Sequence, residues 1–293
     1  MGDGDGWVRC ELGHRHWGRF GAAGLLIKDG DSFVLQHRAP WTHEGDTWGI
    51  PGGARDSHED AVQAATREAA EEAALDPASV RATGLLVDDH GGWSYTTVVA
   101  RPQHPINPHA ANAESTQIRW WQEAEIAALP LHRGFAGTWR RLRRVKPPLA
   151  LIVDSRAMLP GSGTTPDEAV PREEWWNRLF DLARFGVVDD SRVDAHSGPP
   201  LDILLPRVTV LGAEGPAAGV TDEWWRDAVS GQPVVDPAEI ATEVERACLA
   251  ALENDERVLV VSDSPLPAVS HAVTRLTAAD LLALARNRAS KPG

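Results

Sequence analysis

The chain has 293 residues, and its 29 basic and 42 acidic side chains give a formal charge of −13. A composition of 42% hydrophobic and 24% charged residues is that of a folded globular protein, which excludes a wholly disordered, collagen-like or coiled-coil chain. The acidic excess argues against non-specific duplex DNA or anionic membrane binding, because phosphate contacts need clustered Lys and Arg.

At roughly 100–200 residues per domain, the length predicts two domains. A cut at Lys146-Pro147-Pro148 leaves 16 basic and 19 acidic residues before it (−3) and 13 and 23 after it (−10), so the halves are expected to meet different partners. The two cysteines, Cys10 and Cys248, fall one per half and suggest no disulfide framework. Neither sits in a Cys-x-x-Cys or His/Cys cluster, so little supports a structural zinc site. The start, Met1-Gly-Asp-Gly-Asp-Gly6, lacks a signal pattern, and no apolar run approaches the roughly 18–20 residues of a membrane helix. The expected location is cytoplasmic.

In chain order, segment 1–20 is a Gly-rich lead-in. Residues 22–27 and 32–37 read as strands joined by an Asp-Gly hairpin turn. Trp48-Gly-Ile-Pro-Gly-Gly53 follows. From Glu59 to about Ala73 the chain is Ala- and Glu-rich without Pro or Gly, predicting a helix, with Ser57 three residues before Asp60 as its N-cap arrangement. Strands are predicted at 81–87, 94–100 and 117–121, short helices at 123–129 and 135–144, and a loop at 101–116. Beyond Pro148, strands at 149–153, 207–211 and 257–261 alternate with helices at 171–185, 237–253 and 277–287. This alternation predicts an α/β fold with a mostly parallel sheet. Glu173-Glu-Trp-Trp176 and Asp222-Glu-Trp-Trp225 read as helix starts whose tryptophans pack inward.

The chemistry concentrates in 53–75. Glu68, Glu71 and Glu72 stand at i, i+3 and i+4, so their carboxylates share one helix face and repel by a few tenths of a kcal/mol per pair, about what exposed like charges cost. A hard divalent cation relieves that repulsion, because Mg²⁺ and Mn²⁺ prefer oxygen ligands. Pro51-Gly52-Gly53 lets the backbone approach the same cation and present a carbonyl. A Glu-rich helix alone is more often a solvated face; the flanking glycines, Glu59 and the fixed spacing reverse those odds here.

Gly53, Glu59, Arg67, Glu68, Ala69, Glu71, Glu72 and Leu75 match in register the signature of the Nudix hydrolases, Gly-x5-Glu-x7-Arg-Glu-apolar-x-Glu-Glu-x-Gly-apolar, which this sequence resembles from about Gly21 to Arg144. Ala74 replaces the terminal glycine of that pattern. A helix ending there favours φ > 0, at a cost of about 1 kcal/mol for a non-glycine residue. The resemblance implies an α/β/α sandwich in 21–146 that hydrolyses a nucleoside diphosphate linked to another group, with Mg²⁺ or Mn²⁺ as cofactor. It implies Glu68 and Glu72 as principal metal ligands, Glu71 and the Gly52 carbonyl assisting, Arg67 orienting the carboxylates and Glu59 supporting from the helix start. Glu114, six residues before Trp120, matches an additional acid of many members.

The MutT-like look of Leu35-Gln-His-Arg38, Trp41 and the box implies a nucleoside triphosphate, such as 8-oxo-dGTP, cleaved to monophosphate and pyrophosphate. Trp41, Trp48 or Trp93 could stack on the base, though each is more readily packing. His37, His43, His58 and His90 read as surface or capping residues, one of them near the phosphates. An NDP-sugar, a dinucleotide or a capped RNA end stays open as substrate, as does a nucleotide-sensing or RNA-processing role.

Residues 149–293 carry apolar strands ending in Asp154 and Asp263, with Glu239 and Glu243 on the helix between them. This arrangement resembles PIN-like and NYN-like nuclease folds, a second Rossmann-like α/β domain. The asparagine usual after the first acid is absent, and Pro237-Ala238 stand where acids are expected, so a degenerate, non-catalytic scaffold is the preferred reading.

Overall fold

The computed structural model describes residues 2–158, 172–188, 201–212, 229–233, 236–262 and 264–286. The chain divides into two compact units, Met1–Val145 and Lys146–Gly293.

In the first unit, a short antiparallel hairpin of β1 (Trp7–Arg9) and β2 (Arg15–Trp17) precedes the main sheet. That sheet contains β3 (Ala22–Asp29), β4 (Ser32–Arg38), β5 (Trp48–Gly49), β6 (Gly52–Ala54), β7 (Val80–Asp89), β8 (Ser94–Pro102) and β9 (Ser115–Gln122). Its main order is β7-β8-β3-β4-β5, with β6 added to β3 and β9 to β4. The central strand β3 runs parallel to β8 along Ala22–Ile27. On its other edge it exchanges partners: Ala22–Gly24 pair with β6, and Lys28–Asp29 pair with β4. This divergence opens the sheet beside the Gly52-Gly53 segment. The turn between β3 and β4 is the two-residue Gly30-Asp31, with Gly30 at φ 55° as the hairpin requires.

Helix α1 (Ala61–Ala73) packs on β3 and β6. Its buried residues, Ala61, Val62, Ala64, Ala65, Ala69, Glu72 and Ala73, are mostly alanine, which lets the helix axis approach the sheet closely and carries Glu72 into the interior. The N-cap is Asp60, not Ser57. Asp60 Oδ1 accepts from the Val62 and Gln63 amides, and the Gln63 side chain accepts from the Asp60 amide, a complete capping box. Ser57 instead bonds Asp3. The short α2 (Glu123–Ile126) and α3 (Arg133–Leu142) follow β9, with Phe135, Trp139 and Leu142 turned inward.

The second unit contains β10 (Leu149–Asp154), α4 (Arg172–Phe185), β11 (Val187–Val188), β12 (Ile203–Leu204), β13 (Arg207–Leu211), β14 (Val229–Gln232), α5 (Ile240–Glu253), β15 (Arg257–Val261), β16 (Thr274–Leu276) and α6 (Ala278–Arg286). Five strands form one parallel sheet in the order β14-β13-β10-β15-β16. Every residue of β10 and β15 is buried, as strands covered on both faces should be. Trp175 and Trp176 pack inward as expected, whereas 222–225 lie outside the described residues. Among the described residues no helix is long and apolar enough to cross a membrane.

Ala74 ends α1 in the left-handed region, at φ 52° and ψ 35°. Ala74→Gly removes the Cβ clash there and is expected to raise unfolding stability by about 1 kcal/mol, against a smaller entropic loss. Urea denaturation checks this; an unchanged or lower midpoint contradicts it.

Candidate active site

The helix brings its acids to one place at three different depths. Glu72 is 3% exposed, Glu68 lies at the edge of the buried stripe, and the Glu71 side chain is 59% exposed. Arg67 ties them to the entry of the helix. Its Nε donates to Glu59 Oε1 at 2.7 Å, Nη1 to Glu68 Oε1 at 2.8 Å, and Nη2 to Glu59 Oε2 and the Ala54 carbonyl, both at 3.0 Å. Glu71 lies 3.6 Å from the same guanidinium. Glu59 Oε2 also accepts the Asp56 amide, so this carboxylate is held from both sides.

The Gly52-Gly53 segment closes the other side. The Gly52 amide donates to Glu72 Oε2 at 2.9 Å. A Cβ on Gly52 would lie 2.5 Å from the Ala23 carbonyl, so the backbone demands a glycine there, while one on Gly53 would lie 2.5 Å from Glu68 Oε1 and displace that carboxylate.

The charges respond accordingly. Burial alone would raise Glu59, yet the paired guanidinium of Arg67 and the Asp56 amide hold it below the ordinary carboxylate range. Burial raises Glu68; Arg67 opposes the rise, while Glu71 and Glu114 add to it. Burial pushes Glu72 up to about 7; Gly52 and Gln36 stabilise its charged form, and Glu68 and Glu114 act against it. Glu114, on the exposed loop entering β9, therefore acts electrostatically on both inner glutamates.

Two buried carboxylates whose charged forms are disfavoured, Glu68 and Glu72, with Glu71 on the same helix face and close-approaching backbone beside them, fit a hard divalent cation with oxygen ligands. Glu68, Glu71 and Glu72 could hold it, with Glu114 facing the same space.

A cavity of about 450 Å³ opens beside this cluster. Its wall includes Gly52 and Gly53 and the aromatic side chains of Trp7, Trp17, Trp93 and Tyr95. Arg15, Arg38, His43 and His132 supply polar edges. Of the three tryptophans considered for stacking, only Trp93 lines this cavity. Trp41 is 72% exposed and stands away from it, while Trp48 is buried edge-on to Trp121 in the core. Trp7, Trp17 and Tyr95 carry no motif that marks them in the sequence. The hydroxyl of Tyr95 lies against Gly24, where a Cβ would stand 2.2 Å from it. Burial and the nearby Glu72 raise its pKa. Of the four histidines taken as surface or capping residues, His43 and His90 line the cavity.

The expectation that neither cysteine joins a His/Cys cluster is overturned: Cys10 lies with His14, His16 and His90, all four ligand atoms within 4.8 Å of one another. His90 is remote in sequence, and only the fold brings it there. The signal that could have exposed the cluster is Cys10-x3-His14-x-His16, two histidines two residues apart at the start of β2.

In the second unit, Asp154 ends β10 and is 1% exposed. Its oxygens are already occupied. Arg156 donates from Nε and its amide to Oδ1, both at 3.0 Å, and from Nη2 to Oδ2 at 2.7 Å; the Ser262 hydroxyl donates to Oδ2 at 3.1 Å. Asp263 lies outside the described residues. Glu239 is exposed, and Glu243 pairs with Arg246 on its own helix. Among the described residues, Asp154 therefore gathers a guanidinium and a hydroxyl and no second acid.

The model of the NUDIX domain matches residues 18–142. A Mycobacterium tuberculosis protein named "Putative 8-oxo-dGTP diphosphatase 3" is 49% identical over 172 residues, covering 54% of this chain and 79% of that protein. A Bifidobacterium longum protein named "Nucleoside triphosphate pyrophosphatase/Nudix hydrolase fusion protein" is 45% identical over 147 residues, covering 47% of this chain and 30% of that protein. A crystal structure of a Nudix hydrolase from M. smegmatis shares 47% identity over 48% of this chain and 93% of its own, with a TM-score of 0.45.

Glu72 holds its proton more tightly folded than unfolded, so the stability this contributes is complete below its ordinary pKa of 4.5 and is lost as pH rises through about 7. The full difference amounts to about 3 kcal/mol. Chelator-treated protein should therefore lose urea resistance between about pH 5 and 8, and Glu72→Gln should flatten that decline. Parallel pH profiles for the two proteins would contradict the assignment.

Proposed function

This chain belongs to the Nudix hydrolase family, acting on nucleotide diphosphates, and on that premise we propose that it is a metal-dependent pyrophosphohydrolase cleaving a nucleoside triphosphate, such as an oxidised 8-oxo-dGTP-like one, to monophosphate and pyrophosphate. The observation that carries this reading is the cluster of Glu59 and Glu68, braced by Arg67, with Glu72, held by the Gly52 amide, beside an aromatic-walled cavity. The relative named for 8-oxo-dGTP supports the choice of substrate.

Glu68 and Glu72 would hold Mg²⁺ or Mn²⁺, with Glu71 and the Gly52 carbonyl assisting. The bound cation would supply charge neutralisation on the phosphates and a lowered pKa for the attacking water. Arg67 fixes Glu68 by direct donation and is itself fixed by Glu59, so both outer groups act through position. The Gly52 amide aims Glu72 by bonding one of its oxygens. Glu114, on a loop facing both inner glutamates, is placed to accept a proton from water at the site mouth. Trp93, Trp7 and Trp17 offer the apolar faces on which a base stacks, and Arg38 and Arg15 are the cavity cations available to phosphate oxygens.

For the second unit, a PIN-like scaffold without nuclease activity is the reading that the saturated Asp154 supports. Full-length protein should show no metal-dependent RNA cleavage; cleavage that disappears in Asp154→Asn would overturn this.

Glu72→Gln should lower kcat by ~100-fold or more while leaving the circular-dichroism spectrum unchanged and the melting cooperative. An unchanged rate in Mg²⁺ buffer sinks the site assignment. Chromatography of both products from a panel of oxidised and normal triphosphates, NDP-sugars and dinucleotides tests the substrate class. Pyrophosphate plus a nucleoside monophosphate is expected, and two monophosphate-bearing products from a dinucleotide or sugar nucleotide, with triphosphates untouched, contradict it.

A further inference from the structure

The N-terminal hairpin carries a second constellation, separate from the glutamates. Cys10 is 5% exposed and has no disulfide partner. It opens a tight turn in which the Gly13 amide donates to the Cys10 carbonyl at 2.9 Å and the Cys10 amide to the His14 carbonyl at 3.1 Å; Gly13 takes the positive φ of 82° that this turn needs. His14 precedes β2, and His16 lies within it on the same face. The fourth member, His90, comes from the loop after β7. That loop is pinned to the hairpin by the Glu11 amide donating to the Gly91 carbonyl at 2.9 Å.

Two nitrogens in this cluster are buried with no hydrogen-bond partner: His16 Nε2 and His90 Nδ1. Buried polar atoms are rarely left so, because each costs about 1–3 kcal/mol. His90 Nε2 lies 3.2 Å from Asp88 Oδ2, which places the ring proton on Nε2 and leaves the Nδ1 lone pair toward the cluster. His16 stacks on Trp93 with centroids 3.9 Å apart and planes 10° apart, and Trp93 is anchored by its Nε1 donating to the Gly18 carbonyl at 3.0 Å. A carboxylate behind one imidazole and an indole behind another is the kind of outer support that metal-binding histidines receive.

We propose that Cys10, His14, His16 and His90 form a tetrahedral Zn²⁺ site that fastens the β1–β2 hairpin to the β7–β8 loop. One thiolate and three imidazoles are a borderline-soft set that suits zinc and disfavours Mg²⁺. Zn–S of about 2.3 Å and Zn–N of about 2.0 Å require ligand atoms about 3.3 to 3.6 Å apart, a modest contraction from the 4.8 Å envelope. Binding releases the Cys10 thiol proton to solvent; the imidazoles donate as neutral rings. All four positions are protein ligands, so the role is structural. The clamp holds Trp7, Arg15 and Trp17 on the wall of the cavity. It stands independently of the nucleotide chemistry assigned to the glutamates.

The test uses full-length protein purified without a metal-affinity tag. Elemental analysis should find about one zinc per chain in the wild type and in Glu72→Gln. Replacement by Co²⁺ should give the visible bands of a tetrahedral site together with a thiolate-to-cobalt charge-transfer band in the near ultraviolet. Cys10→Ser should lose that band and most of the zinc. His14→Ala, at an exposed position that the fold tolerates, should weaken zinc retention at least tenfold against a competing chelator. Removing zinc should raise KM for the nucleotide more than it lowers kcat. Wild type that arrives without zinc and takes up no Co²⁺, a cobalt spectrum without the thiolate band, or zinc retention against the chelator that is unchanged in His14→Ala would each overturn the proposal.

Discussion

The arrangement depends on keeping several carboxylates together in a largely dry place without letting them push the helix off the sheet. Arg67 carries that burden on one side, sharing its guanidinium between Glu59 and Glu68, and the Gly52 amide carries it on the other by bonding Glu72. The alanine stripe of α1 is what makes burial of Glu72 geometrically available, since larger side chains would lift the helix away. The partner exchange of β3, from β6 to β4, then provides the opening through which a substrate could reach the carboxylates. Helix composition, two glycines and a divided sheet thus serve one electrostatic requirement.

Much of this is legible in the sequence because it is local. The i, i+3, i+4 spacing of Glu68, Glu71 and Glu72 by itself specifies a shared helix face, and the Asp-Gly turn specifies the β3–β4 hairpin. The positive φ at Ala74 likewise follows from its place after the helix. The N-cap falls at Asp60 and not at Ser57 because both are good capping residues, and only the reciprocal bond to Gln63 distinguishes them. The cavity wall is illegible for a different reason. Trp7 and Trp17 lie on strands of three residues, too short to show a period, and Tyr95 becomes a neighbour of Gly24 and Glu72 only when β8 pairs with β3. The Cys10 and His90 cluster depends on the same kind of long-range contact, through Glu11 and Gly91.

The second unit shows how a sheet can keep the geography of a ligand site while its side chains are used otherwise. Strand order β14-β13-β10-β15-β16 places the end of β10 at the point where the chain reverses direction across the sheet, where open α/β sheets favour binding. Asp154 sits there, as the alternation of strands and acids predicts. Its neighbours decide its use: Arg156 and Ser262 satisfy both oxygens, so the acid braces the ends of β10 and β15. Among the described residues of this half, the negative charge is not gathered into one set of acids around Asp154.

In the proposed metal site, buried Glu72 would have to give up a proton to become a cation ligand. Calorimetric titration of Mn²⁺ into full-length protein near pH 6, repeated in two buffers of different ionisation enthalpy, reads that proton directly. Release of up to about one proton per cation bound is expected, fading above about pH 8 and clearly reduced in Glu72→Gln. Cation binding at pH 6 without proton release, or equal release from the variant, would contradict it.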